Sequence, residues 1–210
     1  MRSQAEIKGG DMPASQCPSC GAPVEIKNRF SKVLVCAYCG THLRVSGDGF
    51  DATGKHPKLA EFPSLFQVGS RGTILGKPFT AMGRMRYNYT GGHFDEWFLE
   101  YDGGTAWFTE DEGTYSLYAE VEDAAELPDI SAIRAGQNLL IGGKKVMVKE
   151  KGVAEVAGAE GELSFYIVPG TKVVYMDGIS EGKKISIEAT EDEIEMFIGR
   201  LLLSRDIVVQ

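Results

Sequence analysis

Positive charge is in short supply in this chain: 22 lysines and arginines stand against 30 aspartates and glutamates, for a formal charge of −8. Affinity for duplex nucleic acid rests on neutralising phosphates with basic side chains, so the balance disfavours a nucleic-acid partner. Histidine is scarcer still. His42, His56 and His93 are the full set, and none stands in a serine or cysteine hydrolase signature, which points away from an ordinary hydrolytic enzyme. No run of about 18 apolar residues occurs, which excludes a membrane-spanning helix. The opening residues hold charges and no apolar stretch, so no signal peptide or lipoprotein pattern is expected and the predicted location is cytoplasmic. The glycine-rich runs 69–72 and 142–145 lack the Gly-Lys-Ser/Thr ending of a phosphate loop and read as hairpin turns.

Cysteine is rare but concentrated. All four residues, Cys17, Cys20, Cys36 and Cys39, fall within 23 positions as two C-x2-C pairs, each followed by glycine (Gly21, Gly40). Each pair forms a tight turn that aims two thiolates at one ion, and the glycine lets backbone amides approach the sulfurs. In a chain without an export signal this reads as metal ligation and not as disulfides. Four thiolates favour a single, closed, structural zinc. A rubredoxin-like iron site for electron transfer is the alternative, although rubredoxins hold their two pairs much further apart. The alternating stretches around a turn at 28–31 complete a zinc ribbon over residues 15–46, with His42 read as a solvated histidine on its last strand. Residues 1–14 read as a flexible lead-in. The glycine- and proline-containing 47–63 reads as a linker. Lys27, Arg29, Lys32 and Arg44 give the ribbon a local positive balance of the kind that contacts partners.

Glycine is abundant instead, at 26 residues, and beyond the linker it punctuates short aromatic and β-branched runs at 79–89, 94–101, 105–108 and 114–121. These predict antiparallel strands joined by hairpins. The pattern returns. Phe66, Gly69, Gly76, Lys77, Phe79 and Ala81 precede Ile133, Gly136, Gly143, Lys144, Val146 and Val148 by 67 positions. Glu96, Trp97, Leu99, Tyr101, Gly104, Thr105, Trp107 and Asp111 precede Glu162, Leu163, Phe165, Ile167, Gly170, Thr171, Val173 and Asp177 by 66. A duplicated β unit is therefore expected over 64–210, with copies at about 66–121 and 133–188 forming a barrel or sandwich, and Trp97, Leu99 and Tyr101 on its core face. Residues 122–129 read as the connection between copies. Thr190 to Glu193 carries a capping-box signature, and Ile194, Phe197, Ile198, Leu201 and Leu202 recur at helical spacing, so a C-terminal α-helix over 191–204 is predicted.

The run Val68, Gly69, Ser70, Arg71, Gly72, with Gly76 to Phe79, Glu96 and Trp97, Trp107, Gly161 to Leu163 and Glu193 to Glu195, resembles the bacterial family called domain of unknown function 4178. The resemblance spans 62–203, some members carry a similar cysteine ribbon in front, and Ser164 departs from the proline that members tend to have. It implies a bacterial cytoplasmic protein of unassigned activity, with genes that can lie near polyamine-synthesis or envelope-stress genes.

If the copies pair about an approximate two-fold axis, Glu96 and Glu162 would face each other across a shared cleft. Beside Trp97 and Trp107 they would suit an ammonium group, since charge and an aromatic face both favour it. Hairpin glutamates and core tryptophans account for the same residues. Two readings follow: a non-enzymatic adaptor whose ribbon docks a protein partner, and a protein that binds a small polyamine-like cation or assists polyamine metabolism or envelope stress.

Overall fold

The computed structural model describes residues 15–46, 49–55, 59–60, 62–122, 127–166 and 168–210. The lead-in 1–14, His56, Ile167 and parts of the expected linker and inter-copy connection fall outside them.

In the N-terminal lobe, β1 (Ser15–Gln16) and β2 (Pro23–Val24) pair around the first cysteine turn. Strands β3 (Val33–Val35), β4 (Thr41–Ser46) and β5 (Gly49–Lys55) form an antiparallel meander around the second. The two turns are built alike: the Gly21 amide donates to the Cys17 carbonyl and the Gly40 amide to the Cys36 carbonyl, each at 2.8 Å. Strand β5 corrects the reading of 47–63 as a linker. Gly49 and Gly54 make it a poor strand former, but β4 offers it a hydrogen-bonding edge and Phe50 packs on the lobe's core of Cys17, Val24, Cys36 and Leu43.

Two five-stranded meanders follow. The first is β6 (Arg71–Ile74), β7 (Lys77–Tyr89), β8 (Gly92–Tyr101), β9 (Gly104–Asp111) and β10 (Thr114–Glu120). The second is β11 (Asn138–Ile141), β12 (Lys144–Leu163), β13 (Lys172–Ser180), β14 (Lys183–Ala189) and β15 (Ile194–Leu202), after which β16 (Ile207–Val209) returns to pair with β6. Two-residue turns such as Asp102–Gly103 and Glu181–Gly182 place both residues at positive φ, the primed geometry whose twist matches that of paired strands. Strand β10 pairs with β15, and β12 pairs with β7. The circuit β7, β8, β9, β10, β15, β14, β13, β12 thus closes as an eight-stranded antiparallel barrel.

Both faces of the barrel wall are buried. On the outside of the first meander, Trp97, Leu99, Ala106, Phe108 and Leu117 pack under Phe66 and Ile74. On the outside of the second, Met176, Ile185, Ile187 and Met196 pack under Ile133 and Ile141. Inside, Met85, Tyr87, Phe98, Tyr118, Val156, Val173 and Phe197 form a third core that also takes in Val33 and Val35 of the N-terminal lobe. The expectation that one face of β8 is core and the other is not is corrected: the Phe94, Glu96, Phe98 face looks into the barrel.

The sequence offsets are corrected as well. Phe66, Ile74, Phe79 and Ala81 match Ile133, Ile141, Val146 and Val148 at 67 positions. From the next strand onward the match is 79, pairing Trp97, Ala106, Phe108 and Leu117 with Met176, Ile185, Ile187 and Met196. The shift arises because β12 runs for 20 residues against 13 in β7 and ends in a longer connection. Glu162, on β12, is therefore not the counterpart of Glu96 on β8, and the second meander extends past 188 to Leu202.

The predicted helix over 191–204 is overturned: Ile194–Leu202 is β15, a central strand between β10 and β14. The threonine signature is real but serves a hairpin. The Thr190 hydroxyl accepts from the Asp192 and Glu193 amides at 3.3 and 3.2 Å, while the Thr190 amide donates to the Glu193 carbonyl. An alanine Cβ at Gly199 would lie 2.3 Å from the Tyr118 ring, so the glycine marks a close approach between strands.

Candidate functional site

The four cysteines converge as their spacing predicts. Their sulfurs all lie within 4.8 Å of one another, with Cys17 to Cys39 at 3.8 Å and Cys20 to Cys36 at 3.9 Å, and none is in a disulfide. The Thr41 hydroxyl sits 3.1 Å from the Cys39 sulfur, and hydrogen bonds from that hydroxyl and from the Thr41 amide hold the Cys39 thiol down at about 6. Cys20 is pushed the other way, up to about 12, so the two shifts describe thiols that share protons within one cluster and not one isolated thiolate. Donor type, number and convergence all fit a single metal ion. His42, 2% exposed and edge-on to Tyr166, is buried and not the solvated histidine expected.

The second feature is the interior of the barrel, a cavity of about 400 Å³ lined from all eight strands. Its wall is aromatic, including Phe94, Trp107, Tyr118, Phe165, Tyr175 and Phe197. Into it project five carboxylates, Glu96, Asp111, Glu150, Asp177 and Glu188, against one basic side chain, Lys184. Lys184 donates to the Ser116 hydroxyl at 3.0 Å and lies over the Tyr118 ring.

Strand register forces like charges together. Glu150 stands directly opposite Asp177, and Glu188 opposite Glu195. Such cross-strand pairs destabilise a sheet unless something neutralises them. The titration of the groups reflects this. Burial, with Asp177 and Glu195 adding to it, pushes Glu96 up to about 8 even though the nearby Tyr87 hydroxyl opposes the rise. Burial with Glu96 and Asp177 nearby drives Glu188 well above the usual carboxylate range, and burial raises Asp177 and Asp111.

Of the four barrel residues singled out in the sequence, the structure brings two together. Glu96 and Trp107 share the cavity. Trp97 is 0% exposed in the outer core, beneath the Arg84 guanidinium, and is not among the residues lining this cavity. Glu162 is turned toward the N-terminal lobe, where its carboxylate accepts from the Lys27 and Asn28 amides and the Ser31 hydroxyl. The two glutamates do not face each other. Glu150, Lys184 and Glu188 are not marked in the sequence reading, and Asp111 and Asp177 enter it only as repeat positions and not as site residues. Their signal was alternation: Asp177 and Glu188 are flanked by Met176 and Ile187, which fill the outer core, so polar positions within otherwise apolar strands were marking the lumen.

Among the described residues no helix is long and apolar enough to cross a membrane. Neither a curated protein nor a solved structure matches the chain. Residues 67–204, which run from just before β6 to just after β15, match a family whose members share a domain of unknown function, DUF4178. With most of its length matched in this way, and with all eight barrel strands inside the match, the chain belongs to the DUF4178 family.

Proposed function

We propose that the barrel is a binding site for a small organic cation bearing more than one ammonium group, of the polyamine class, and that the cysteine lobe holds one structural zinc. The observation that carries the first part is the excess of five inward carboxylates over one lysine in an aromatic-walled lumen. Among the described residues the acidic groups form no cluster that converges on one point as the cysteines do. A distributed set of carboxylates suits a cation whose charges are spread along a chain, and aromatic faces suit its ammonium and methylene groups. A single hard metal ion would instead need several oxygens around one point. For the cysteines, a tetrahedron with Zn–S of about 2.3 Å has edges of about 3.8 Å, in line with the sulfur separations. Two successive meanders with matched outer cores support an origin by internal duplication.

Calorimetric titration of the zinc-loaded chain with spermidine tests the reading. Saturable binding is expected, weakened at least tenfold by Glu96→Gln with Glu188→Gln. Retained affinity in that double variant would sink it.

The ribbon favours a second reading, a docking face for a protein partner, because Tyr38 in the second cysteine turn is 67% exposed, and Arg29 and Lys32 elsewhere on the same lobe are exposed as well. Partner capture lost on Tyr38→Ser, with metal content kept, would favour this role. Capture unaffected by the change would count against it.

A further inference from the structure

Glu162 is a charged side chain only 4% exposed, and the three donors to its carboxylate come from one loop of the cysteine lobe: the Lys27 amide at 2.8 Å, the Asn28 amide at 3.0 Å and the Ser31 hydroxyl at 2.7 Å. The same junction is hydrogen-bonded along the backbone. Strand β3 pairs with the end of β12, Leu34 opposite Glu162 and Val33 opposite Leu163, and the Lys32 amide donates to the Leu163 carbonyl at 2.8 Å. Just beyond it the lobe holds Tyr166, whose ring lies under the Arg44 guanidinium and whose hydroxyl donates to the Thr53 carbonyl. Between these two anchors is Phe165, which lines the cavity and rests 5.5 Å from Trp107.

The lobe that supplies the anchors cannot hold itself together by burial. Its own core consists of Val24, Leu43 and two of the four cysteines, with partly buried Leu34, Cys39 and Phe50 around it. Modules this small depend on a metal cross-link for their fold. Without the metal, the loop 27–31 would lose the frame that points its amides at Glu162. A carboxylate stripped of its donors in a dry setting is costly, so it would turn toward water and carry the strand end with it.

Resting on the reading of the barrel as a ligand site, we propose that the cysteine lobe is a metal-dependent latch on the cavity wall. With the cluster loaded, Glu162 and Tyr166 are clamped and Phe165 closes against Trp107. With the metal withdrawn, segment 162–166 is released and the cavity loses that wall.

The test uses the full chain loaded with zinc, then treated with chelator, then given zinc back. Amide hydrogen exchange and spermidine titration are followed at each stage. The expected result is exchange at least tenfold faster in 162–166 after chelation, with β9 and β10 still protected, spermidine affinity reduced at least tenfold, and both effects reversed by zinc. Glu162→Gln, which replaces a pure acceptor with a group carrying its own N–H donors, should retain one zinc per chain and still show the faster exchange. Unchanged exchange in 162–166 without metal, or in Glu162→Gln, overturns the latch, as does a loss of protection that extends to β9 and β10. Faster exchange with undiminished affinity overturns its link to the cavity. If the zinc-loaded chain does not bind spermidine at all, the ligand reading fails, while the exchange data still decide whether the segment is latched.

Discussion

Glu96 shows how the barrel sets the chemistry of a single residue. Its carboxyl is held up at about 8 and that of Glu195 at about 7, in each case chiefly by burial, and neighbouring carboxylates add to the effect. A raised pKa means that the folded state binds more protons than the unfolded chain between the ordinary carboxylate range and the folded value. The stability from these groups is therefore fully present below about pH 4.5 and is lost as pH rises through about 8. Thermal melts of the zinc-loaded, ligand-free chain should show a midpoint that falls from pH 5.5 to 8.5, with Glu96→Gln reducing the slope. A midpoint that rises over this range, with the slope unchanged in the variant, would contradict the assignment. On the proposed reading, the same linkage predicts that cation binding releases protons and tightens as pH rises. At this scale the sequence was legible where chemistry was local: two short spacings were enough to place Cys17, Cys20, Cys36 and Cys39. Asp177 and Glu188 were not legible, because an acidic residue in a strand normally signals solvent, and only closure of the sheet turns that face into a lumen.

At the scale of elements, β15 shows why a helix and a strand were confused. Ile194, Phe197, Ile198, Leu201 and Leu202 satisfy a helical stripe, but the same residues serve a strand whose faces are both partly covered, one by the outer core through Met196 and Leu202 and the other by the lumen through Phe197. Periodicity cannot separate these cases when both faces are buried. Gly199 distinguishes them experimentally. In an exposed helix, Gly199→Ala would stabilise by about 1 kcal/mol. In the strand, the new Cβ would meet the Tyr118 ring and the Leu117 carbonyl, so a loss of about 1–3 kcal/mol is expected. Chemical denaturation measures the difference, and a stabilised variant would count against the strand. Strand β5 was hidden for a different reason. Its glycines gave no strand signal, and its pairing is dictated by the free edge of β4.

At the scale of the whole molecule, the hairpins of the first meander were legible because each strand is punctuated by a tight turn. The closure between β7 and β12 was not, since it joins residues far apart in sequence, such as Gly83 with Gly161. The lengthening of β12 also concealed the true match between the meanders and produced the false pairing of Glu96 with Glu162. Those extra residues are where the cysteine lobe attaches, so the departure from symmetry coincides with the place where the metal site meets the barrel.

The central claim is that the lumen, and not the acidic exterior, receives a cation. The most direct measurement is the set of intermolecular nuclear Overhauser effects between spermidine methylenes and the aromatic rings of the zinc-loaded chain at pH 8. Contacts to Trp107, Tyr118 and Tyr175, three rings that line the cavity, are the predicted result. Saturable binding with contacts only to exposed rings such as Tyr38, or no contacts at saturating spermidine, would contradict the account.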